Sequence, residues 1–252
     1  MKKINTIIRT FFFMELRNKQ ALIMGTMFPV IMLILMGIAG REESRGDMSY
    51  MTYILPGILG MAYAATGLIA LPIMLSSYRE NGFLLYLKVT PVKIIRVILS
   101  LTITQMIIML LQTVLLLGVC NFALRLNLNY QWDTFYFLVI TLFLSSIALV
   151  CLGFVISIFA KNVKNTTTIG NLCNLIFTFL GGAFFPAETW PDFLKPIILL
   201  NPLTHMISVI RDIMIFPEFE VGNIIKAILF LLITILICLP IAVKKFSYEI
   251  TG

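Results

Sequence analysis

Charge is scarce in this chain of 252 residues: Asp, Glu, Lys and Arg make up 12% of it, against 60% apolar residues. An ordinary soluble domain carries about twice that charged share, so a water-exposed globular surface is excluded. Histidine is scarcer still. The single one, His205, sits in Asn201-Pro202-Leu203-Thr204-His205 with no cysteine or acid at ligand spacing, which leaves no zinc motif to build on. Cys120, Cys151, Cys173 and Cys238 form no Cys-x-x-Cys pair and lie in or at the edge of apolar runs, so neither a disulfide framework nor a metal site is expected. No Gly-x-Ser-x-Gly occurs and no carboxylate lies deep in an apolar run, so catalysis lacks its parts. Gly-x-x-x-x-Gly-Lys-Ser/Thr is missing too, and with it any phosphate-cradling loop for ATP.

What is present is long and greasy. Mean hydropathy is +0.99. Residues 50–77, 97–124, 134–160 and 165–187 carry no charge, and each is at least as long as the roughly 20 residues a membrane helix needs. Runs 21–39 and 227–243 are shorter but equally uncharged. These runs predict an all-α integral membrane protein with six transmembrane helices, at about 21–39, 50–77, 97–120, 134–160, 165–185 and 223–243. The charged stretch before residue 21 is too long for a signal peptide, so the first span is expected to be retained. With both termini cytoplasmic, the inner segments hold thirteen basic residues against three acids, and the outer segments six against nine. That is a positive-inside bias, and it gives the basic balance a cause in anchoring to the membrane, with no nucleic-acid partner required.

Residues 1–20 place Ile4, Ile7, Ile8, Phe11, Phe12 and Leu16 at helical spacing with polar and basic residues between them. This predicts a helix lying in the membrane interface, with a packed cytoplasmic helix as the alternative. Pro29 falls inside the first span, where neighbouring groups must satisfy the carbonyl that it frees. Gly60, Ala64 and Gly67 form a close-packing face in the second span, within the subunit or at a dimer seam. Thr102, Gln105, Gln112 and Thr113 share a side of the third span, and Asn171 and Asn174 make the fifth polar. Such groups bond a neighbouring helix or line a path; Gln105, Asn171 and Asn174 are the candidate path-lining residues. Prolines 186, 191, 196, 202 and 217 break up residues 186–221, whose uncharged piece 196–210 is too short to cross, so short re-entrant helices are expected before the last span. No ionisable residue sits at depth in a span, which disfavours ion-driven transport and points to energy supplied by another polypeptide.

The stretch 76–92, SSYRENGFLLYLKVTPV, interrupts two apolar runs on the cytoplasmic side. Phe83, Leu84 and Leu87 form an apolar patch flanked by Arg79, Glu80 and Lys88, a pattern suited to docking in a partner's groove or to lying on lipid. Glu80-x-Gly82-x-Leu84-x-x-Leu87-x-x-Thr90-Pro91 resembles the cytoplasmic loop of type-2 ABC exporter membrane subunits, as Tyr53-Ile54-Leu55-Pro56-Gly57 resembles their second span. Gly181-Gly182-Ala183-Phe184-Phe185-Pro186, Trp190-Pro191, Asn201-Pro202-Leu203-Thr204-His205 and Arg211 resemble the family's signature region, in which Gly181, Gly182, Phe185, Pro186, Pro202 and Arg211 are the positions of interest.

The resemblance implies one transmembrane domain over residues 1–252 that has no ATPase site of its own. Two copies of a separate ABC ATPase would bind ATP and Mg, and a second permease would complete a homodimer or paralogous heterodimer in a bacterial plasma membrane. Residues 79–91 would be the coupling helix: Phe83, Leu84 and Leu87 as contact area, Arg79 and Glu80 orienting it, Gly82, Thr90 and Pro91 bounding it. Met14–Leu22 is similar to the drug, antibiotic and peptide branch, which implies export of an amphiphilic drug, antimicrobial peptide or lipid-like molecule. The alternatives are a polysaccharide or teichoic-acid exporter and, further off, an ion-coupled transporter.

Overall fold

The computed structural model describes residues 2–19, 23–39, 50–89, 92–123, 132–160, 162–184, 190–215 and 220–245. Helices make up its regular structure, with no strand among the described residues. Helix α1, Lys2–Arg17, ends on Arg17, whose positive charge suits a helix C-terminus. A π-helical turn, Ile23–Met27, leads into α2, Phe28–Ala39. Pro29 has no N–H to give the carbonyl of Gly25, and Gln112 meets that need from another helix, its Nε2 donating to Gly25 O at 3.0 Å.

Helix α3, Tyr50–Ala64, passes through a π-helical turn, Ala65–Ala70, into α4, Leu71–Glu80. The short α5, Phe83–Lys88, follows, and then α6, Ile94–Gly118, which runs on through a π-helical turn, Val119–Ala123. Helix α7 is Trp132–Phe159 and α8 is Val163–Leu180; beyond them come a 3-10 turn, Asp192–Leu194, and α9, Lys195–Leu199. Helix α10, Pro202–Ile215, and α11, Val221–Lys245, complete the chain as described.

Among the described residues, four helical stretches are long and apolar enough to cross a membrane: Thr52–Glu80, Ile94–Asn121, Phe135–Phe159 and Val221–Lys245. A fifth arises if Asp192–Leu199 and Pro202–Met214, bent by 89° at their junction, count as one broken span. The charge-free runs predict six; of the other two, the one at 21–39 begins outside the described residues, and the one at 165–185 is too polar to meet the same measure. Around α2 the apolar helix is only Gly25–Ala39. Helix α8 has 18 residues, but Lys164, Asn165, Thr166, Thr167, Thr168, Asn171 and Asn174 dilute its apolar character.

The Thr52–Glu80 stretch is central, with 72% of its apolar window buried within the chain against 22% for Val221–Lys245. Small residues bring neighbours close where lipid gives helices no hydrophobic reason to associate. A β-carbon on Gly153 would lie 2.1 Å from the carbonyl oxygen of Gly67, so α7 and the Ala65–Ala70 turn touch backbone to backbone. Gly60 sits against Ile207 and Leu203 of α10. The small-residue face therefore packs inside the subunit. Outward residues such as Ile31 and Leu35 of α2, Leu111 and Val114 of α6, and Leu236 and Ile237 of α11 leave an apolar exterior.

Candidate functional site

The end of α4 at Glu80 is built by a turn. Gly82 has φ of 69°, a left-handed conformation that side chains resist. Its N–H donates to Arg79 O at 3.1 Å, while that of Asn81 donates to Ser77 O at 2.9 Å. The turn leads into α5 and packs Phe83 against Tyr78, the rings tilted by 51° with centroids 5.0 Å apart. Phe11 of α1 closes the cluster, 6.0 Å from Tyr78 and 6.2 Å from Phe83. Helices α1, α4 and α5 thus share one aromatic core.

The same end is tied to the α7–α8 junction. Arg79 is buried and donates from Nη1 to the carbonyl of Ser157. The Glu80 carboxylate accepts the N–H of Val163, the first residue of α8, at 2.7 Å. Asn162 caps the same helix, its Oδ1 accepting from Asn165 N at 2.8 Å. The Ser76 and Thr166 hydroxyls lie 2.6 Å apart. Negative charge at a helix N-terminus is favourable there, so Glu80 holds α8 to α4.

These placements redistribute the expected roles. Leu84 is wholly buried in its own chain, and Phe83 and Leu87 pack partly into the core. The side chains facing outward are Leu85, Tyr86 and Val89, at 41%, 72% and 82% exposure. Helix α5 is apolar on both sides, and the side chosen as contact area from the sequence is the one the fold uses. Arg79 and Glu80 are engaged within the chain. Thr90 and Pro91 lie outside the described residues.

Of the candidate path-lining residues, Gln105 is fully buried, beside Glu15 of α1. Asn171 is exposed on α8, and half-buried Asn174 accepts from Thr178 Oγ1 at 3.5 Å. The polar stripe of α6 is divided in use: Gln112 also donates to Thr26 Oγ1 at 3.2 Å and Thr66 Oγ1 at 2.9 Å. Thr113 Oγ1 is 2.9 Å from the Tyr63 hydroxyl. These bonds clamp α6 to the central helix and to the start of α2.

Glu15, one of the three acids on the inner side in the charge count, is only 3% exposed. Burial pushes its carboxyl up to about 7, while the adjacent Gln105 amide pulls the other way. Its position one helical turn after Phe11, on the same face of α1, was the available signal.

At the opposite end, Gly181 donates to Phe177 O at 2.8 Å as α8 ends, and Gly182 follows at φ of 81°. Arg211 donates to Gly182 O at 2.9 Å and lies over the Tyr53 ring, 4.2 Å from its centroid. Asn201 donates to Phe177 O at 2.7 Å and accepts from Leu203 N at 3.0 Å, just before buried Pro202 begins α10. His205 bonds the Leu199 carbonyl at 2.8 Å and stacks on Phe230, 4.2 Å between centroids, which is a structural use of that ring. Phe185 and Pro186 lie outside the described residues.

A chain whose described residues are helical, with four or five stretches among them of membrane-crossing length and hydropathy, is a multi-pass membrane protein. The ABC-2 type transporter family matches residues 3–215, and the chain belongs to that family of ABC transporter membrane subunits. Such domains lack ATPase motifs and generally work with a separate ATPase subunit. A search of curated proteins finds no match.

Proposed function

We propose that this chain is the permease subunit of an ATP-driven exporter, with residues 79–91 as the element that meets the ATPase. The single observation that carries this reading is the outward face formed by Leu85 and Tyr86 of α5 and Val89 just beyond it, on a segment whose other side is locked into the fold. Apolar residues on a charged, membrane-flanking turn favour a protein partner. Arg79, Glu80, Gly82, Phe83, Leu84 and Leu87 then position the segment, and Thr90 and Pro91 end it.

In this reading the chain crosses the membrane six times, with α2 and α8 as the two shorter crossings and both termini inside, as the charge bias favours. Two ATPase copies bind ATP and Mg, and a second permease, identical or paralogous, completes the path. The cargo is an amphiphilic drug, antimicrobial peptide or lipid-like molecule moved out of a bacterial cell. Exposed Asn171 on α8 is the candidate path-lining position with an open side chain.

The test is co-purification from native membranes. A Walker-type ATPase accompanies the wild-type chain, and Tyr86→Asp or Val89→Asp releases it while leaving the permease folded. Retention of the ATPase by both variants would refute the docking assignment.

A further inference from the structure

Glu15 and Gln105 form a buried polar pair that coupling to an ATPase does not require. Glu15 is 3% exposed and Gln105 is 0% exposed. Glu15 Oε2, Gln105 Oε1 and Gln105 Nε2 all lack a hydrogen-bond partner, although the carboxyl and the amide are adjacent. Leaving such atoms unpaired in an apolar setting is costly.

The surroundings offer the carboxyl no counter-charge among the described side chains. Helix α4 presents the Tyr78 phenol toward it, while Arg79 turns to Ser157 O and Glu80 to Val163 N. The only charged residue of α6, Arg96, lies in its first turn. Arg9 and Arg17 of α1 are exposed. The neighbour able to answer Glu15 is therefore an uncharged amide, which offsets only part of the cost of burying a carboxylate, so burial favours the neutral acid. A protonated carboxyl has one donor and one acceptor, the complement of the Gln105 oxygen and nitrogen; a carboxylate has acceptors only, so it can use the amide Nε2–H but leaves Oε1 unanswered and its charge buried.

We propose that Glu15 is a proton-operated latch between α1 and α6. Neutral, it pairs with the Gln105 carboxamide and holds α1 in place. Ionised, it is driven toward water and loosens α1, drawing Phe11 away from Tyr78 and Phe83 behind the 83–88 segment. That this tunes transmission of an ATPase stroke rests on the exporter reading; the latch itself does not.

The sign and window follow from burial. The latched carboxyl titrates at about 7 and the released one near its ordinary 4.5. Opening then becomes about tenfold more favourable per pH unit between those values and levels off above 7.

Hydrogen exchange on the full-length permease in nanodiscs, without ATPase, tests this. Corrected for intrinsic exchange, protection of the α1 amides around Phe11–Leu16 is expected to fall about tenfold per unit from pH 5 to 7 in the wild type. The isosteric Glu15→Gln, which keeps the amide contact without a charge, is expected to hold its protection across that range. Wild-type protection that does not change with pH would overturn the latch, whether or not the variant folds, and so would an equal fall in Glu15→Gln. Because no ATPase is present, either result leaves the exporter reading to its own test.

Discussion

Gln112 shows what one side chain does where water is absent. Its amide reaches Gly25 O, Thr26 and Thr66, joining three helical segments and answering the carbonyl left open by Pro29. Helix-to-helix hydrogen bonds in membranes contribute about 0.6–2 kcal/mol each. Gln112→Leu is therefore expected to lower the thermal unfolding midpoint in detergent by several degrees, at roughly 2–4 °C per kcal/mol for a chain of this size. An unchanged midpoint would mean the clamp contributes nothing. Glu80 is the matching case at the end of α4, where an exposed carboxylate caps the start of a helix from another segment.

Among elements, the central Thr52–Glu80 helix and its crossing with α7 decide the packing. Gly153 meets Gly67 O so closely that any side chain must push the helices apart, and overpacking of this kind costs about 1–3 kcal/mol. Gly118 on α6 has open space around it. Gly153→Leu is expected to reduce the yield of folded, monodisperse protein sharply, with Gly118→Leu near wild type; equal yields would contradict the close crossing. Much of this was legible in the sequence, because membrane helices advertise themselves by uncharged length and their contacts by small residues. The freed Gly25 carbonyl was legible too, from Pro29 alone, though not which residue would satisfy it. Helix α5 was legible as an element but not in its facing. Phe83, Leu84, Leu85, Tyr86 and Leu87 are nearly all apolar, so periodicity carries no phase, and only the Phe11–Tyr78–Phe83 cluster fixes it. Glu15 escaped notice because a charge beside a basic segment reads as solvated unless its helix partner is known.

Across the whole molecule, one helix links the two candidate sites. Thr52–Glu80 has 29 residues, about 44 Å of helix, close to the full thickness of a bilayer with its headgroups. One end carries the Tyr78–Phe83 contact and the Glu80 cap; near the other Tyr53 lies under Arg211, which holds Gly182. In the exporter proposed above, force on α5 enters this helix directly and reaches α8 through Glu80. The most direct measurement is cross-linking in the assembled complex, with a photoreactive residue placed at Val89 and, as control, at Leu236 on the apolar exterior. The account predicts an ATPase adduct from Val89 and none from Leu236. An assembled complex that gives no adduct from Val89 would contradict it.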